Sequence, residues 1–292
     1  MRVLVTGGTG FLGGFLVRSA VASGLTVAVL SRDVPAEPSP DVTWIRGSLA
    51  NPDWSAIQKW NPEICVHAAW IATPGIYLDS PENGILVETS LDFFRKLSGF
   101  GLRRAIVLGT CIEYAMTGHP FNEESTPLAP LSPYSRAKHQ LHLQLRPLLA
   151  DRRCSLAWAR IFYPYGPGEH PARLTSSLID RLRAGEPVRL KTPDSVKDYI
   201  HVADVASALL HLIRSDMDGA INIGNGVGIR IADLAHLIAG VLGHPELIEE
   251  APGERNPLDI IVSDNSRLLS LGWRPEVSLE SGVQGMIQKG LK

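Results

Sequence analysis

Two short stretches of the chain combine residue types and spacings that suit chemistry. One is Thr6-Gly7-Gly8-Thr9-Gly10-Phe11-Leu12-Gly13, directly after the apolar run Val3-Leu4-Val5. Glycines at a strand-to-helix turn let the backbone approach a pyrophosphate, and the helix N-terminus adds free N–H groups with partial positive charge. On this reading Gly7, Gly10, Phe11, Leu12 and Gly13 seat a dinucleotide. The plain alternative is a glycine-rich turn that binds nothing. The other stretch is Tyr134-Ser135-Arg136-Ala137-Lys138. Helical residues four apart share a face, so a phenol and an ammonium meet in one site. A lysine cation lowers a neighbouring phenol from its usual pKa of about 10. Such a phenol can protonate a carbonyl oxygen as hydride reaches the carbon. Thr110 ends the run Ile106-Val107-Leu108-Gly109. Its hydroxyl either orients a substrate carbonyl or merely caps a turn.

These groups need a scaffold, and the first half of the chain supplies an alternating one. Arg2–Thr6, Thr26–Leu30, Val42–Arg46, Ile64–His67, Ala105–Leu108 and Ser155–Arg160 read as buried strands. Helical patterns fall at Phe11–Ser23, Pro52–Trp60, Asn83–Phe100 and Pro133–Ala150. Strand–helix alternation implies an α/β fold, a doubly wound parallel sheet of Rossmann type. The proline-rich segments Pro35–Pro40, Thr117–Pro133 and Tyr163–Pro171 read as loops. The expected organisation is a dinucleotide-binding domain over residues 1–165, with later segments returning to its sheet. Residues 166–292 then form mainly a smaller C-terminal substrate lobe.

The second strand ends in Leu30-Ser31-Arg32. A carboxylate there would bind ribose hydroxyls and favour NAD, whereas a hydroxyl and a guanidinium suit a 2′-phosphate. Ser31 and Arg32 therefore favour NADP(H) over NAD(H). The alternative is a solvated arginine with Asp33 serving the ribose.

Composition sets broad limits. The 292 residues are 45% hydrophobic and 20% charged, with a formal net charge of −2, so general attraction to nucleic acid or an anionic membrane is not expected. Three cysteines, Cys65, Cys111 and Cys154, lack metal-ligand or redox spacing. No metal is implied, and Cys65 and Cys154 read as buried free thiols. With no leader-like or spanning segment, a cytoplasmic enzyme is the expectation.

The motifs taken in order resemble the extended short-chain dehydrogenase/reductases, in particular the nucleotide-sugar epimerase/dehydratase/reductase group. The resemblance covers nearly the whole chain. It rests on the glycine loop, Val66-His67-Ala68-Ala69, Thr110 to Tyr114, Tyr134/Lys138 and Arg160 to Pro167. It continues through Asp198 to Ala206, Asn222-Ile223-Gly224 and Leu271-Gly272-Trp273-Arg274-Pro275. It implies Thr110, Tyr134 and Lys138 as catalytic triad, Ala68, Tyr134 and Lys138 as cofactor contacts, and a homodimer formed through the helices Asn83–Phe100 and Pro133–Ala150. A nucleotide-sugar substrate would draw on Glu113, Arg173, Lys197 and Arg255, the alternative for each of the three cations being a solvated surface charge. His201 and Asp204 read as structural ties between lobe and sheet. Ser48 stands where relatives often carry an aspartate against adenine.

Departures from the family pattern narrow the reaction. Ile112 occupies the place of the acid that 4,6-dehydratases carry, with Glu113 one position later. Cys111 is likewise one place from the cysteine of 3,5-epimerising reductases. Ser31 replaces the acid usual in 4-epimerases. The expected activity is NADPH-dependent reduction of a nucleoside-diphosphate 4-keto-6-deoxyhexose to a 6-deoxysugar, with Tyr134 as general acid. The alternatives are an NAD-dependent nucleotide-sugar 4-epimerase and, more remotely, a non-catalytic NADP-binding redox sensor.

Overall fold

Long apolar runs make central strands because a parallel sheet is covered on both faces and offers no polar side to water. The computed structural model, which describes residues 1–251 and 256–289, shows this for β1 (Arg2–Thr6), β2 (Thr26–Ser31), β4 (Ile64–His67), β5 (Arg104–Thr110) and β6 (Ser155–Ile161), while β3 (Val42–Arg46) forms the sheet's edge and leaves Thr43 and Arg46 exposed. A seventh strand, Gly219–Ile223, pairs with β6. The sheet order is Gly219–Ile223, β6, β5, β4, β1, β2, β3, and every pairing is parallel. The order reverses between β1 and β4, the position at which such sheets open a crevice at their carboxyl ends.

Side chains alternate between the two faces. Val3 and Val5 of β1 join a core with Leu16 and Val17 of α1 (Phe11–Ala22) and Leu209 and Ile213 of the helix Val202–Arg214. Leu4, between them, joins the opposite core with Ile57 of α2 (Trp54–Trp60), Phe94 of α3 (Glu82–Leu97) and Leu141 and Leu145 of α4 (Pro133–Ala150). A third core lies in the lobe, around Leu178, Leu182, Ala235, Ile238 and Val283.

Local chemistry sets the helix ends. Asp53 accepts a hydrogen bond from the Ala56 N–H at 2.9 Å, so α2 begins at Trp54 rather than at Pro52. The expected helix to Phe100 ends at Leu97 and finishes as a 3-10 turn, Ser98–Phe100. Ser132 caps α4, and Pro133 takes the first helical position, where a missing N–H costs nothing. Tyr163–Tyr165, expected as loop, is a short strand parallel to Tyr199–His201. Pro164 is tolerated because this is a two-stranded ribbon of edge strands. All three cysteines are free and buried. Among the described residues no helix is long and apolar enough to cross a membrane.

Candidate active site

Two adjoining cavities open at the carboxyl ends of the central strands. The larger, about 700 Å³, is lined by Gly7 and Gly10 from the glycine loop, Ser31 and Arg32 from the end of β2, and Ser48 and Leu49 beyond β3. The loop and helix lie so close that side chains are excluded. A Cβ at Gly13 would fall 2.1 Å from the Gly7 carbonyl oxygen, and one at Gly7 would fall 2.6 Å from the Ala69 nitrogen. Gly7 also has φ +71°, which glycine adopts without strain. A cradle of bare backbone at the start of α1 fits a dinucleotide's pyrophosphate. Ser31 spends its hydroxyl on the Asp33 carbonyl oxygen at 2.7 Å, which leaves exposed Arg32 as the cation lining this end of the cavity among the described residues. Phe11 packs edge-on against Phe15 and does not line the cavity, whereas Leu12 and Ala68 reach the smaller one.

That second cavity, about 190 Å³, gathers Thr110, Tyr134 and Lys138 on one wall and Ile112, Phe162, Tyr163 and Arg173 on others. Thr110 lies near the Tyr134 phenol and opposes part of the effect of burial on it. Burial holds the Tyr134 phenol well above the usual tyrosine range, with a contribution from the neighbouring Tyr77, whose ring meets it edge-on at 4.9 Å. Helical spacing alone predicted the opposite direction, through the lysine cation. The Lys138 Nζ stands 5.9 Å from the Tyr134 ring centroid and turns elsewhere. It donates to the Leu108 carbonyl oxygen at 2.8 Å and lies 3.8 Å from the centroid of the Trp70 ring. Burial lowers its pKa to about 7, against the opposing pull of the Glu113 carboxylate.

Glu113, expected at the substrate, lies beneath the cavity with no exposure. Its carboxylate accepts from the Thr110 N–H at 3.0 Å, from Trp158 Nε1 at 3.1 Å and from Arg160 Nε at 3.1 Å. Arg160 in turn donates to the Tyr114 hydroxyl, which donates to Asn222 Oδ1, each at 2.8 Å. The acid therefore braces the turn that carries Thr110 instead of meeting a ligand. Lys197 is likewise engaged: it pairs with Asp259 and is mostly buried. Arg173 does reach the cavity, held by the Ala72 carbonyl oxygen at 3.3 Å and set over the Tyr77 ring. Arg255 lies outside the described residues. Asp204 accepts from the Glu276 and Val277 N–H groups, and the His201 ring accepts from the Ala203 N–H.

Sequence reading missed Trp70 and Tyr77, which sit in the loop after β4 and line the smaller cavity. Their signal was present: Trp70 directly follows Val66-His67-Ala68-Ala69, and the motif drew attention away from its neighbour. Among the described residues no carboxylate lines this cavity and no cluster suits a metal.

Comparison with known proteins agrees with this geometry. The family described as NAD dependent epimerase/dehydratase matches residues 3–224. A UDP-glucose 4-epimerase of Halalkalibacterium halodurans is 26% identical, over 97% of this chain and 94% of that protein. A dTDP-6-deoxy-L-talose 4-dehydrogenase (NAD(P)(+)) of Kitasatospora kifunensis is 27% identical, over 97% of this chain and 93% of that protein. Among solved structures, the Thermus thermophilus UDP-glucose 4-epimerase in complex with NAD aligns with TM-score 0.82 and 26% identity, over 99% of this chain and 98% of that one.

Proposed function

This chain belongs to the NAD-dependent epimerase/dehydratase family, and on that premise we propose that it moves hydride at C4 of the hexose in a nucleoside diphosphate sugar. The observation that carries this reading is the meeting of Thr110, Tyr134 and Lys138 in one cavity beside the glycine-loop cavity. A nicotinamide dinucleotide held by the glycine loop supplies or removes the hydride. The protein's own residues handle the proton and the geometry. Burial keeps the Tyr134 phenol protonated at neutral pH, ready to donate to a sugar carbonyl oxygen. Thr110 shares the cavity wall with the phenol, where its hydroxyl can orient the same carbonyl oxygen. No carboxylate lines this cavity among the described residues, so the acid that 4,6-dehydration would use is not in place, which supports redox chemistry at C4 over dehydration.

Two forms of C4 chemistry are distinguished by the fate of the cofactor. A 4-epimerase regenerates it, and the names of the relatives support this form more broadly. A net reductase consumes NADPH. Arg32 and the lack of an acid at Ser31 support this form, as does the talose 4-dehydrogenase relative. The apolar walls at Ile112 and Phe162 suit a 6-deoxy methyl group. A second copy docked on α3 and α4 completes the proposed homodimer; Ile85 and Leu143 on these helices are exposed.

One experiment separates the forms. The purified protein is incubated with NADPH and dTDP- or GDP-4-keto-6-deoxyhexoses, and separately with UDP-glucose and no added cofactor. NADPH oxidation only with the keto sugars supports the reductase. Formation of UDP-galactose supports the epimerase. Silence in both arms across a broad sugar panel sinks the C4 reading.

A further inference from the structure

The two cavities share a wall made by Ala68, Trp70, Ile71 and Ala72. Within it Trp70 is held from two sides. Its Nε1 donates to Asn83 Oδ1 on α3 at 2.8 Å, and its ring face lies 3.8 Å from the Lys138 ammonium. Lys138 is only 3% exposed, and one of its three N–H bonds goes to the Leu108 carbonyl oxygen. An aromatic face therefore stabilises a cation that burial disfavours. The glycine loop lines the larger cavity and Tyr134 the smaller. A dinucleotide whose pyrophosphate rests on the loop reaches Tyr134 only by passing this wall.

We propose that Trp70 is a positioning residue: its indole holds Lys138 in place until the nicotinamide half of the cofactor enters, and then yields the ammonium to it. The inference rests on the cofactor reading given above and on the shared wall. It predicts that the adenosine diphosphate half binds without disturbing Trp70, whereas the complete dinucleotide displaces it.

The test uses ADP, NAD+ and NADP+ as ligands, with tryptophan emission and calorimetric affinity as readouts. Six tryptophans contribute emission, so the Trp70 signal is the difference between wild type and Trp70→Phe. NAD+ or NADP+ is expected to change that difference signal, and ADP to leave it unchanged. In Trp70→Leu, which removes the aromatic face, dinucleotide affinity is expected to rise between about 2-fold and 30-fold, the span of a cation–π contact. ADP affinity should stay constant and serves as the check on folding. If Trp70→Leu loses ADP binding as well, the emission comparison decides. A difference signal that NAD+ and NADP+ leave unchanged overturns the proposal. So does a dinucleotide-to-ADP affinity ratio in a folded Trp70→Leu that is unchanged or lower than wild type. Failure of both NAD+ and NADP+ to bind overturns the cofactor reading and this inference together. Binding without a Trp70 response overturns this inference alone.

Discussion

Lys138 shows how a single side chain is pulled by opposing terms. Its position on the helix was legible from spacing, because a four-residue interval fixes a common face with Tyr134. Its surroundings were not, because desolvation depends on residues such as Trp70 and Leu108 that arrive from other elements. The consequence is measurable as stability. An unfolded lysine holds its proton up to about 10.5, and the folded one releases it near 7. Between those values the unfolded chain binds more protons, so the lysine's contribution to stability rises with pH. Urea unfolding across that window should show wild type gaining on Lys138→Met as pH rises, with no such gain below about pH 7. Parallel curves would contradict the buried position. Glu113 gives a second residue-scale prediction. Removing it leaves the Arg160 guanidinium buried and unpaired, so Glu113→Ala should cost about 3–5 kcal/mol in urea unfolding. Glu113→Met combined with Arg160→Met should recover much of that loss. The sequence showed that this acid was displaced from the dehydratase position; only the fold shows what it is bonded to.

At the scale of elements, the glycine loop and α1 form one unit because their backbones touch. The Gly13 Cα approaches the Gly7 carbonyl so closely that even a methyl group must push the helix away. Gly13→Ala should therefore weaken dinucleotide binding more than about 10-fold in calorimetry, as α1 shifts its N–H groups away from the anion. Unchanged affinity would show that the loop does not seat the pyrophosphate. β1 to β6 were legible within a residue or two, since all but the edge strand β3 are apolar runs buried on both faces. Tyr163–Tyr165 was hidden by Pro164. Gly219–Ile223 was hidden as a strand by Gly219 and Asn222, which are poor strand formers.

Across the whole molecule, buried carboxylates fasten the lobe to the sheet. Asp198 accepts from the Asn225, Gly226 and Ser263 N–H groups and from the Ser263 hydroxyl. Asp204 holds the chain near Glu276 in the same manner. Replacing Asp204 by Ala orphans two backbone donors, and should cost about 3 kcal/mol in unfolding experiments while leaving dinucleotide affinity intact. A matching loss of affinity would mean that this tie also shapes the cofactor cavity. The structural part assigned to Asp204 was legible from its place in the motif Asp198 to Ala206; its partners, far along the chain, were not.

The hydrogen-bond relay from Thr110 through Glu113, Arg160 and Tyr114 ends on Asn222, which belongs to the seventh strand. Six strands and the glycine loop have been made once residue 161 is reached, but the helix Val202–Arg214 that covers β1 and α1 comes only later, and Asn222 of the relay later still. During synthesis, folding proceeds from the N-terminus, and contacts distant in sequence form last. A growing polypeptide thus carries the residues proposed to seat the dinucleotide before it can cover them, and it braces the turn of Thr110 last of all.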